Sequence, residues 1–132
     1  MWALQQRPGT EVLYGAILID DMERLHGREA GGWPSLLFQA FDREILLTGN
    51  LVDMGAIAHV AGLPEARFDE RLWEYADWDL LLAVTEHRTP LELPAVALCY
   101  SSAGDDRLTG RHSHDNDLVL EKWATPPAAS EA

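Results

Sequence analysis

The chain has 132 residues, 47% apolar and 24% charged, which fits one compact domain and excludes wholesale disorder. Its 22 Asp and Glu against 10 Lys and Arg give a formal net charge of −12. That balance argues against gripping a phosphate backbone or docking on an anionic membrane, and favours a basic protein surface as partner.

Residues 12–19 read V-L-Y-G-A-I-L-I, a bounded apolar run that stops at Asp20 and Asp21. Its β-branched and aromatic content favours a buried strand over a helix. Residues 21–26 suit a single helical turn, and residues 27–34 (G-R-E-A-G-G-W-P) form a loop. In residues 35–49 two short apolar runs flank Asp42, Arg43 and Glu44. They read as a hairpin turning at that triplet, or as a helix followed by a strand.

Asn50 is placed to cap a helix, with Asp53 near the positive end of its dipole. Met54, Ile57, Ala58 and Ala61 then recur at helical spacing. Gly62 suits the end of that helix and Pro64 the first turn of the next. Residues 65–87 carry the strongest helical pattern. Phe68, Leu72, Tyr75, Ala76, Leu80 and Ala83 share one face, and Glu70, Glu74, Asp77 and Asp79 lie mostly opposite. The D-W-D triplet at 77–79 is a candidate break, and Thr89-Pro90 ends the pattern.

Residues 91–101 hold A-V-A-L-C-Y, a second buried-strand pattern in which Cys99 is expected to act as an inert hydrophobe. Residues 103–117 read as a polar loop, and residues 117–123 alternate as an edge strand. Residues 1–124 are expected to form one globular domain and residues 125–132 a mobile tail. The expected fold is α+β, with a mixed or antiparallel sheet of about four strands packed against two to three helices.

Cys99 is the single cysteine, which excludes an intrachain disulfide and a cysteine-based zinc site. Residues 1–10 lack the apolar run of a secretory leader, and no apolar run reaches membrane-spanning length. A reducing cytoplasm is the expected compartment. One Lys against nine Arg is a composition typical of GC-rich bacterial genomes.

Residues 54–73 (M-G-A-I-A-H-V-A-G-L-P-E-A-R-F-D-E-R-L-W) resemble the bacterial helix-turn-helix pattern. Ala58 matches its small packing residue, Gly62 its turn glycine and Phe68 a buried residue of its second helix. The resemblance implies a transcription-associated domain. Arg71 stands where the pattern has an apolar residue, and Glu65, Asp69, Glu70 and Glu74 outweigh Arg67 and Arg71 on the would-be recognition helix. That charge opposes DNA binding.

Residues 111–117 (R-H-S-H-D-N-D) offer His112, His114 and Asp117 as ligands for zinc or non-haem iron. In an extended chain the two imidazoles would share a face. The His-x-His pair is similar to cupin metal strands, although Gly110 is too close and Glu121 too far for that motif. Asp115, Asn116 and Asp117 are similar to part of a calcium loop, without its ligand spacing. This reading makes the protein a metal-dependent enzyme. No P-loop, dinucleotide fingerprint or nucleophile elbow is present, and no other cofactor is expected.

The favoured reading rests on residues 69–79 (D-E-R-L-W-E-Y-A-D-W-D). Asp69, Glu70, Trp73, Glu74, Asp77, Trp78 and Asp79 would form an acidic-aromatic surface that holds a basic protein partner. Trp73 and Trp78 sit off the main apolar face and would anchor it. An inhibitor or immunity-type protein, or an accessory subunit of a complex, would have such a surface. A binding module is expected rather than an enzyme, and no catalytic residue is assigned from the sequence.

Overall fold

A computed structural model describes residues 7–20, 35–101 and 112–124. Residues 21–26, 27–34, the part of the expected 103–117 loop up to residue 111 and the tail expected at 125–132 lie outside the described residues.

The fold is a small α+β domain built around one strand. β1 (Val12–Asp20) and β4 (Leu91–Ser101) pair in parallel from Leu13 with Leu91 to Asp20 with Ser101. β3 (Ile57–His59) pairs antiparallel with the first half of β1, and β2 (Ser35–Leu37) with the second half. A strand has two edges. β4 takes one along almost its whole length, so β3 and β2 follow each other along the other. Among the described residues the sheet is therefore mixed, of four strands.

Both long strands lie where the bounded apolar runs predict them, but the register between them slips at Gly15, Ala16 and Ile17. Leu93 faces Gly15 while Val96 faces Ala16, so Pro94 and Ala95 bulge out of β4. Proline has no N–H to give a ladder and suits such a bulge. Gly15 is required here, because a Cβ would lie 2.7 Å from the Cβ of Ala97 and 3.0 Å from the carbonyl oxygen of Ala95. The core-facing set on β1 changes parity across this irregularity, from Val12 and Tyr14 to Ile17 and Ile19. On β4, Val96 is 54% exposed and Cys99 is also exposed, which corrects the expectation of a buried strand with an inert thiol. β4 follows the period of a strand whose outer side faces solvent.

The helices depart further from expectation. α1 (Arg43–Leu46) is one turn capped by Asp42, whose carboxylate accepts the N–H groups of Glu44 and Ile45. The polar triplet thus starts a helix instead of turning a hairpin, and the order is strand then helix. The helix expected after Asn50 is also absent. Asn50 accepts the N–H of Val52, Asp53 caps a 3-10 turn at Met54–Ala56, and the chain then extends into β3. Pairing of Ile57 with Tyr14 and of Ala58 with Leu13 overrides the helical spacing. The helix-turn-helix is consequently not formed. Gly62 has the expected left-handed φ of +85°, but within a loop, and Phe68 is 59% exposed.

The long helix expected over residues 65–87 is reduced to α2 (Ala76–Val84). Carboxylates capture the N–H groups that a longer helix would need. Asp69 accepts from Arg71 N–H, and Asp115 accepts from Trp73 N–H and Glu74 N–H. Such side-chain acceptors compete with the helical ladder. Tyr75 then takes a left-handed φ of 63°, which turns the chain into α2. Trp78, Leu80, Leu81, Leu82 and Val84 are all buried, so α2 is enclosed rather than amphipathic. They meet Val12, Tyr14, Leu46, Val52 and Val119 in the core. The indole N–H of Trp78 donates to Leu46 O at 2.6 Å, which satisfies its polar atom inside that core.

Residues 117–123, expected as an edge strand, belong to α3 (Asp115–Trp123). Asp115 and Val119 are buried and Trp123 packs on the core, a face at i, i+4 and i+8. Asp115 and Asp117 in the first turn and Lys122 in the last suit the helix dipole.

Candidate ligand pocket

The seven residues expected to form one acidic-aromatic surface are dispersed by the fold. Trp78 and Asp79 are 0% and 1% exposed and belong to the interior. Asp79 accepts the indole N–H of Trp123 at 2.7 Å and an ammonium bond from Lys122 at 3.0 Å. Asp69 lies between Arg71 at 2.7 Å and Lys122 at 3.2 Å. The Arg71 side-chain and backbone donors hold its carboxyl well below the usual range. Glu74 is half-buried and accepts the N–H of His112 at 2.9 Å. Glu70 is exposed. Trp73 is 68% exposed, with its ring stacked on His112 at 5.7 Å. The expectation of an exposed Trp pair is thus correct for Trp73 and overturned for Trp78, whose position on an enclosed helix the acidic neighbours disguise.

The expected metal ligands do not converge either. His112 and His114 are neighbours, with ring centroids 5.9 Å apart, but Asp117 is exposed on α3. The carboxylate that meets His114 is that of buried Asp115, 3.0 Å from Nε2. Asp115 Oδ2 is occupied by the N–H groups of Trp73 at 2.8 Å and Glu74 at 2.9 Å. Those donors, the Glu74 N–H foremost, hold its carboxyl below the usual range. Among the described residues, no group of three His, Cys, Asp or Glu is arranged to hold a metal ion. Nor is any helix among them long and apolar enough to cross a membrane.

Asp77 goes elsewhere. It lines a cavity of about 160 Å³ beside the second half of β1. Ile17, Ile19, Leu51 and Val52 supply apolar walls, and Asn50, Asp53, Asp77 and Tyr100 supply polar groups. Tyr100 is the penultimate residue of β4, and Ile19 that of β1. The cavity therefore sits toward the carboxyl ends of the parallel pair, where crevices of open α/β sheets commonly take ligands.

Each polar group arrives by a local device. Asn50 and Asp53 each accept an N–H two residues on, of Val52 at 3.2 Å and of Gly55 at 3.0 Å, and so shape the loop along the cavity. Asp77 stands in the first turn of α2, directed there by the left-handed Tyr75. Its Oδ1 accepts the N–H of Trp78 at 2.8 Å and the amide of Asn50 at 3.2 Å. Among the described residues, no other residue donates to Oδ2. Burial pushes the Asp77 carboxyl above its ordinary range, and the charge of Asp53 adds to the rise.

Comparison with protein-family models, with curated proteins and with solved structures found no match.

Sequence reasoning finds Asp77 but assigns it to a surface, and reads Asn50 and Asp53 only as helix-terminus residues. The polar groups at 50 and 53 are a signal of loop geometry; their proximity to residue 77 has no signature in spacing.

Proposed function

We propose that the protein binds a small molecule in the Asp77 cavity and that Asp77 exchanges a proton with it. The observation that carries the reading is a carboxyl group held through one oxygen at an apolar-walled cavity, with its proton affinity raised by burial. Such a group accepts a proton from a ligand hydroxyl or ammonium, or returns one, at a pH closer to neutrality than an exposed Asp. A space of about 160 Å³ suits one small ring or polar head, and the rest of a larger ligand would lie outside it. Asp77 is the candidate proton-handling residue, and Asp53 and Tyr100 are candidate polar contacts.

The test is a screen of small hydroxylated and amine-bearing fragments followed through the amide signals of Val52, Asp53 and Asp77. Binding should perturb these signals together and should depend on pH in the wild type but not in Asp77→Asn. No fragment at the cavity, or a pH dependence untouched by Asp77→Asn, would reject the reading.

A basic protein partner remains a second reading, favoured by Trp73 alone of the expected anchors. Its ring is exposed and stacked on His112, and an exposed indole on a protein of net charge −12 suits a basic surface. An affinity that falls at least tenfold in Trp73→Ala and weakens with salt would support it. Binding indifferent to both would remove it.

A further inference from the structure

Asn50 adjoins the carboxyl group on which the proposed function rests, and its amide is engaged at both ends. Its Oδ1 accepts the N–H of Val52 at 3.2 Å. A backbone N–H can only donate, so this bond identifies the other end of the amide as Nδ2. Nδ2 donates to Oδ1 of Asp77 at 3.2 Å, the same oxygen that accepts the N–H of Trp78. Two donors therefore converge on one oxygen of Asp77.

We propose that Asn50 is the positioning residue of the cavity: it occupies Oδ1 of Asp77 so that Oδ2 is the oxygen that meets a ligand and carries the proton. The inference rests on the reading of Asp77 as the proton-handling group. Asp53 and Tyr100 are the other titratable groups lining the cavity, while Asp79 on the same helix is engaged with Lys122 and Trp123. A donor on Oδ1 favours the charged carboxylate, and the Asp53 carboxylate opposes it. The proton affinity of Asp77 is the balance between these neighbours and burial.

The test is a carboxyl-carbon NMR titration of Asp77 in the full chain, for wild type, Asn50→Ala and Asn50→Asp. Asn50→Asp retains an acceptor for Val52 but replaces the amide donor with a second negative charge. The Asp77 midpoint should rise by about one unit in Asn50→Ala and further in Asn50→Asp. Either folded variant suffices, with amide spectra as the control for folding. An unchanged midpoint in a folded variant overturns the proposal. An Asn50 effect on the titration, without any fragment bound to wild type, supports the positioning role and rejects the ligand reading instead.

Discussion

The buried carboxylate of Asp79 accepts the indole N–H of Trp123 at 2.7 Å, joining α2 to the last residue of α3. Lys122 reaches the same carboxylate and also Asp69, so one lysine ties α3 to two positions of the preceding chain. Asp79→Ala should destabilise the protein by about 1–3 kcal/mol, because it leaves a part-buried indole N–H without its acceptor and Lys122 without its inner partner. Denaturant unfolding with an unchanged m-value measures this; a loss under about 1 kcal/mol would mean that the clamp is dispensable.

Asp115 gives a prediction with a defined pH sign. Its folded-state carboxyl lies below the ordinary value, held there first by the Glu74 N–H. Its stabilising contribution is therefore present above the ordinary carboxylate range and is lost as pH falls through the lowered value. In Asp115→Asn the stability difference from wild type should shrink as the medium is acidified from neutral pH to below the carboxylate range. Hydrogen exchange at the Trp73 and Glu74 amides should accelerate in Asp115→Ala at neutral pH. Protection unchanged at both amides would contradict the bonds from Oδ2.

The two tryptophans of the 69–79 stretch should respond oppositely. Trp78→Ala should cost about 3–5 kcal/mol, because it empties a buried site and leaves Leu46 O without its donor. Trp73→Ala should change stability by no more than about 0.5 kcal/mol, since the ring is mostly solvated. Thermal melts of the two variants side by side decide it, and equal losses would place both rings in the core.

Gly15 and Gly55 separate rigid from yielding neighbours. At Gly15 a Cβ meets the Ala97 Cβ and the Ala95 carbonyl oxygen of β4, neither of which can swing aside, whereas at Gly55 it meets the Leu98 methyl groups at 2.8 and 3.0 Å. Gly15→Ala should cost about 1–3 kcal/mol. Gly55→Ala should cost less, because the end of a leucine side chain can move away. Equal melting temperatures for the two variants would contradict the close strand approach.

The expected α+β class, β1 and the whole span of β4 were legible because each strand is a bounded apolar run, in β1 rich in β-branched and aromatic residues, that carries its preference locally. The exposure of Trp73 was legible too, from its place off the apolar face. That the helix expected over residues 65–75 does not form was not legible. Its spacing is helical, but Asp69 and a carboxylate some forty residues away take the N–H groups that a helix would use. The alternation at 117–123 misled for a similar reason: period-two and helical patterns both leave Val119 apolar, and contact with Asp79 selects the helix.

The sequence by itself determined the acidic balance, the two long strands and the stock of carboxylates between them. Tertiary structure alone decided what each carboxylate does. Asp79 is enclosed and clamps α3, Asp115 holds the turn before α2, and Asp77 meets Asn50 at a cavity. Adjacent acids on a one-dimensional chain look alike. In the folded protein, burial and the donors within reach set whether a carboxylate is a structural acceptor, an exposed charge or a group able to exchange a proton.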